Sequence, residues 1–230
     1  MKKLLRYFSP FEWCLWLGSV TVITLSFLLS KDFYILTLIA SLVGVSSLIF
    51  IAKGNVIGQF LIILFSILYG IISLTFSYYG EFATYVFMSL PSAVVACITW
   101  LKNPSKQGKN EVAIAQVSAK KWGFLFLGAA AVTILFYFLL SYLNTANLIF
   151  STISVFTSFF AAMLLICRSP YYALGYVAND VVLIVLWVLA SIESLSYLPM
   201  VFCFLTFFVN DGYGFISWKR RQKRQAEAIE

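Results

Sequence analysis

Eight long apolar runs dominate this sequence. They cover roughly residues 13–30, 33–52, 56–78, 82–101, 122–143, 147–167, 170–190 and 195–218. A helix of about 20 apolar residues crosses a hydrocarbon core of roughly 30 Å. The breaks between runs are sharp: Lys31-Asp32, Lys53-Gly54-Asn55, Gly80-Glu81, the 102–121 stretch, Asn144 to Asn147, Arg168-Ser169-Pro170 and Glu193. Strands of a membrane barrel would alternate polar and apolar residues over about ten positions. These runs are longer and continuous, so the fold class is an all-α membrane protein with eight transmembrane helices. Composition agrees, with 62% hydrophobic and 11% charged residues against about 25% charged in soluble domains. A chain of this length leaves no room for a dozen-helix transporter fold or a separate soluble catalytic domain. No small-x-small cleavage site follows the first run, which is expected to be a retained helix rather than a signal peptide.

The basic residues test the count. With the N-terminus inside, the inner segments hold Lys2, Lys3 and Arg6; Lys53; Lys102, Lys106, Lys109, Lys120 and Lys121; Arg168; and Lys219, Arg220, Arg221, Lys223 and Arg224. Of the 16 basic residues only Lys31 falls outside. Positive charge near span ends stays cytoplasmic, so a multi-pass protein of the inner (plasma) membrane with both termini cytoplasmic is expected. The net charge of +7 is then an orientation signal and a contact for anionic lipid, not a nucleic-acid site.

The sequence also repeats weakly. Shifted by 118 residues, Trp100 meets Trp218, Thr99 meets Ser217 and Tyr69 meets Trp187, while Lys53 and Arg168 end matching spans at an offset of 115. Spans 2–4 therefore resemble spans 6–8 in the same orientation, as in small transporters with a pseudo-twofold along the membrane normal. The expected arrangement is one extra helix plus two parallel three-helix bundles joined by a linking helix (1+3+1+3). Its segments are 1–32, the N-terminus and extra helix; 33–101, the first bundle; 102–121, a cytoplasmic loop; 122–146, the linking helix; 147–218, the second bundle; and 219–230, a basic tail.

Against this apolar background the few polar residues stand out. A charge at the bilayer centre costs about 2.5–3.5 kcal/mol on insertion scales, so one that is kept there has a use by default. Asp180 sits in the middle of span 7. At 100° per residue, Tyr172, Tyr176, Asn179, Asp180 and Trp187 form one aromatic, acidic stripe. Span 8 has a second polar face with Asn210 and Gly214, flanked by Asp211 and Tyr213. Span 3 aligns Gln59 with Tyr69, and span 4 aligns Tyr85 with Ser92, with Pro91 as the expected kink site. Of these, Tyr172, Tyr176, Asn179, Asp180, Trp187, Asn210, Asp211, Tyr213, Gln59, Tyr69 and Ser92 are the candidate substrate contacts of a midplane cavity in which aromatics stack a flat ring and amides or carboxylates hold hydroxyls or a cation. For serines and threonines the plainer role is helix-to-helix bonding. Trp100 and Trp218, beside Lys102 and Lys219, read as interfacial anchors.

Other chemistries find little support. Histidine is absent and the four cysteines, Cys14, Cys97, Cys167 and Cys203, are scattered through apolar runs, so no metal site, cofactor or disulfide is expected. No nucleotide-binding or hydrolase motif appears. An intramembrane enzyme or sensor would have to rest on Asp180, Asp211 and tyrosines alone. The small residues Gly128 to Ala131 in span 5 suit packing within the monomer or in a homo-oligomer.

The stretch Arg168-Ser-Pro-Tyr-Tyr-Ala-Leu-Gly-Tyr-Val-Ala-Asn-Asp180, then Gly-Tyr-Gly-Phe-Ile-Ser-Trp218, resembles the PnuC family of vitamin-precursor transporters. Lys53, Leu68-Tyr69-Gly70 and Trp100-Leu101-Lys102 extend the resemblance to the first half. It implies a fold like that of the SWEET sugar transporters and uptake of nicotinamide riboside for NAD biosynthesis by facilitated diffusion, with trapping by phosphorylation. Where the family carries W-x-x-W-x-x-x-N, this sequence has Ala173, Tyr176 and Asp180, with Asn179 alongside. That departure leaves open another nucleoside or vitamin, such as a deoxynucleoside, thiamine or riboflavin. A SWEET-type sugar carrier is disfavoured because the chain has no Pro-Gln pair. Asp180 suits the cationic pyridinium of nicotinamide riboside, and Tyr or Trp faces add cation–π attraction.

Overall fold

A computed structural model describes residues 7–30, 34–75, 79–106 and 108–228. Lys2, Lys3, Arg6, Lys31 and Asp32, used above for orientation and boundaries, lie outside the described residues. Eight helices among the described residues are long and apolar enough to cross a membrane. They are α1 (Pro10–Leu28), α2 (Ile35–Ala52), α3 (Ile57–Thr75), α4 (Tyr79–Lys102), α5 (Ala119–Tyr142), α6 (Leu148–Ile166), α7 (Tyr172–Glu193) and α8 (Leu198–Glu227). An even number of crossings puts Tyr7 and Ala228 on one face of the membrane.

Helix ends differ from the hydropathy boundaries for local reasons. Helix α1 starts at Pro10, not at residue 13, because Ser9 and Glu12 form a capping box around a proline that needs no N–H there. Helix α4 begins at Tyr79, which places Glu81 inside its first turn. Helix α8 does not stop at residue 218. It runs on to Glu227, because the 102–121 stretch is not featureless and grips it. Pro104–Ser105 (β1) pairs antiparallel with Gly108–Val112 (β2). Beyond the hairpin the chain becomes a strap. Glu111 binds Arg221 and Arg224, and Gln225 exchanges hydrogen bonds with the Ile114 N–H and the Val112 carbonyl. The same strap reaches both halves of the chain. Val112 N–H donates to the Gly54 carbonyl at 2.9 Å and Ala115 N–H to the Arg168 carbonyl at 3.0 Å.

Helix packing in lipid relies on close approach and polar contacts rather than on expulsion of apolar surface. Helix α1 packs on α2 and α8, and α5 packs on α6. Under a shift of four helices, the α2–α3 contact maps onto α6–α7, α3–α4 onto α7–α8, and α2–α8 onto α6–α4. The outer surface is apolar, with Phe124 75%, Leu127 66% and Phe138 65% exposed along α5. Gly175 marks one tight crossing: a Cβ there would sit 2.8 Å from the Ala161 Cβ.

Trp100 and Trp218 are not lipid-facing anchors. They are 2% and 0% exposed, and their rings meet 5.4 Å apart. The Trp100 indole N–H donates to the Leu165 carbonyl near the end of α6, and that of Trp218 to the Ile51 carbonyl near the end of α2. Each indole adds a hydrogen bond to a helix-end carbonyl that already accepts from its own chain turn, and so ties the opposite half to it. That role explains why a residue type common at interfaces lies inside.

Candidate functional site

A cavity of about 470 Å³ lies between the helices. Eight of the residues singled out from sequence line it: Tyr172, Tyr176, Asn179, Asp180 and Trp187 from α7, Asp211 from α8, Gln59 from α3 and Ser92 from α4. The α7 stripe therefore faces one space, as a helix with period 3.6 requires. Helix α4 contributes a second face. Pro91 has no N–H to give and crowds the carbonyl four residues earlier. The turn before it opens into a π-helical segment at Tyr85–Ser89, where the Leu90 N–H reaches the Tyr85 carbonyl. That segment presents Tyr85, Met88 and Ser89 to the cavity, and Ser92 follows in the next turn.

The polar groups on the wall are incompletely satisfied. Asn179 Oδ1 accepts from the Thr157 hydroxyl at 2.9 Å. The carboxyls of Asp180 and Asp211 lie side by side and interact directly across α7 and α8. Yet Asp180 Oδ2 receives no hydrogen bond from any described group, and Asp180 is only 3% exposed. Gln59 is 0% exposed and neither its amide nitrogen nor its oxygen has a partner. Buried polar atoms in folded proteins are nearly always paired, so these atoms stand out as having donor and acceptor capacity to spare.

Three singled-out residues lie elsewhere. Tyr69 is buried behind Tyr85 and Phe65, with ring centroids at 4.9 and 4.8 Å, and its hydroxyl reaches the Met200 sulfur. Asn210 donates to the Ser19 hydroxyl and the Thr206 carbonyl. Tyr213 donates to Glu12 at 2.9 Å. These last two tie α8 to α1, so the polar face of α8 is split. Asp211 turns to the cavity and Asn210 and Tyr213 turn to α1.

Sequence reasoning missed the mouth. The cavity reaches the turns on the face away from the termini, where Tyr79, Glu81, Asn144, Thr145, Glu193 and Tyr197 line it. Glu81 and Glu193 read as breaks between spans. The available signal was register: Glu81 lies four, eight and eleven residues before Tyr85, Ser89 and Ser92, on the same helical face. Toward the termini the wall ends near Ile51, Leu165, Tyr172 and Asp211. Tyr172 packs on Trp218 at 4.8 Å, so the tryptophan pair lies directly beyond that floor.

Eight membrane-crossing helices, seven of which line an aromatic-walled cavity with polar groups that closes toward one face, define a small multi-pass membrane transporter. The chain belongs to a family described as nicotinamide mononucleotide transporters, whose model matches residues 34–220. It is 26% identical over 194 residues to the nicotinamide riboside transporter PnuC of Neisseria mucosa, covering 82% of this chain and 73% of that protein. It is 22% identical over 218 residues to the PnuC of Haemophilus influenzae, covering 94% and 92%. The crystal structure of the vitamin B3 transporter PnuC shares the fold with a TM-score of 0.81 at 22% identity, covering 95% of this chain and 94% of that one. The family and these relatives are transporters, not enzymes.

Proposed function

We propose that this chain carries nicotinamide riboside across the inner membrane by facilitated diffusion, with both termini cytoplasmic. One observation carries the reading. Four of the chain's nine acidic residues, Glu81, Asp180, Glu193 and Asp211, line the cavity, and none of its 16 basic residues does so among the described residues. A phosphate group is held by Arg, Lys or a helix N-terminus. The mononucleotide in the family's description would meet carboxylates instead. The riboside in the relatives' names carries a pyridinium cation and no phosphate, which suits them.

In this reading Asp180, supported by Asp211, faces the pyridinium charge. Tyr172, Tyr176 and Trp187 offer ring faces for stacking and cation–π attraction. Gln59, Asn179 and Ser92 offer donors and acceptors to the carboxamide and ribose hydroxyls. Alternating access is rocking of residues 33–101 against 147–218, with 122–146 as the connector and α1 as the extra helix. The π-helical turn beside Pro91 is the hinge in the first half, and Gly212 and Gly214 serve in the second. The cavity reaches the face opposite the termini, so this conformer is the one that receives substrate from outside. A second copy would pack on exposed Gly128 and Ala131 of α5.

The same acidic lining also suits the thiazolium cation of thiamine, which is the second reading. The test is uptake into vesicles holding the purified protein, with nicotinamide riboside, its mononucleotide, thymidine, thiamine and riboflavin. Uptake of the riboside alone, weakened in Asp180→Asn, is expected. Uptake of thiamine alone would replace the substrate, and unchanged riboside affinity in Asp180→Asn would refute charge pairing at that residue.

A further inference from the structure

We infer that the cavity carries a second, outer cation site built on Glu81, where an organic monocation dwells before it reaches Asp180 and Asp211. This rests on the cationic-substrate reading above and extends it to a residue that no sequence motif singled out.

Glu81 occupies the mouth on the same face of α4 as Tyr85, Ser89 and Ser92, all of which line the cavity. It is half-buried, and it has neither an ion-pair nor a hydrogen-bond partner among the described residues. By contrast Glu12 and Glu111, the buried or half-buried acids away from the cavity, are each paired with Lys or Arg. Partial burial of an unpaired carboxylate is costly, and a passing cation offsets that cost. Three further groups in the same space lack partners: the Gln59 amide, Asp180 Oδ2 and, at the mouth, Thr145 Oγ1. Tyr85 stands one turn below Glu81 and lies within electrostatic reach of both Glu81 and Asp180. Tyr85 therefore lies near both the outer and the inner carboxylates on the same cavity wall, and Glu193 adds an exposed negative charge at the rim. Clefts lined by one sign of charge raise the local concentration and arrival rate of the opposite charge by about 10- to 1,000-fold.

The plain alternative is that Glu81 only favours the first turn of α4 as an acidic residue near a helix N-terminus. Such a role would shift the thermal midpoint and leave transport kinetics alone. The test compares wild type, Glu81→Gln and Glu81→Asp in vesicles at low ionic strength. Two probes of nearly the same shape are used: cationic nicotinamide riboside and its neutral dihydro form. For Glu81→Gln the half-saturating concentration of the cation should rise about tenfold with the saturated rate retained, while flux of the neutral form stays unchanged. Glu81→Asp should keep most of the cation preference. Equal half-saturation in wild type and Glu81→Gln, or equal losses for both probes, would overturn the outer site. If the wild type carries thiamine and not the riboside, the substrate reading fails and the same ratio measured on thiamine judges the site. If it carries neither cation, both fail.

Discussion

Lys53→Met should be among the most damaging substitutions outside the cavity. The Lys53 ammonium binds both oxygens of Glu12, at 3.1 and 2.9 Å. The two side chains are only 13% and 4% exposed. Glu12 also accepts from the Ser9 N–H at 2.6 Å and from the Tyr213 hydroxyl at 2.9 Å. One carboxylate thus joins α1 to the end of α2 and to α8. Methionine keeps the apolar stem and removes the charge, leaving a buried carboxylate with two neutral donors. Removing one partner of a buried ion pair costs about 3–5 kcal/mol. At about 2–4 °C per kcal/mol for a chain of this size, the unfolding midpoint should fall by roughly 6–20 °C. Glu12→Gln should cost less, because the ammonium lies over the rings of Tyr7 and Phe8 at 4.8 and 5.4 Å and keeps those faces. The double variant, with both charges gone, should recover about 2–3 kcal/mol of the summed losses. Tryptophan fluorescence during thermal unfolding of the detergent-solubilised protein measures all four forms. Strict additivity of the two single losses would refute the buried-pair argument.

Two further outcomes follow from the packing and the strap. Gly175→Ala should destabilise by about 1–3 kcal/mol because its new methyl meets Ala161, and adding Ala161→Gly should recover part of the midpoint, since the residue 161 Cα would still lie 3.0 Å away; no recovery at all would move the tight contact elsewhere. Glu111→Ala should lower the midpoint, because its pair with Arg224 is half exposed and contributes about 0–1 kcal/mol but its pair with Arg221 is only 15% and 14% exposed and costs up to about 3–5 kcal/mol to break, and it should speed amide exchange at Val112 and Ala115. Unchanged protection of those amides would show that the strap does not depend on the carboxylate.

Much of the site was readable because one helix carries most of it. The spacing of Tyr172, Tyr176, Asn179, Asp180 and Trp187 is a property of a single helix, and a 3.6-residue period puts such residues on one side whatever surrounds them. Asp211, Asn210 and Tyr213 illustrate the limit. All three belong to the polar side of α8, but two neighbours compete for that side, α7 and α1. Periodicity ranks residues by angle and does not say which neighbour stands at which angle. Glu81 was lost differently, since hydropathy treats an acid near a span end as a boundary, and helix α4 simply runs past it.

The sequence by itself determined that the chain lives in a membrane, that eight helices cross it and that one carboxylate sits deep in an apolar span. Those are consequences of transfer free energy, which acts on each segment alone. Only the tertiary structure decided that Asp180 meets Asp211, that Glu12 is neutralised by Lys53, that Trp100 and Trp218 turn inward to each other, and that Glu81 opens onto the same cavity as Asp180. Each of these joins residues from different helices, and in lipid the partners are selected by close packing and polar pairing between helices, which no single segment encodes.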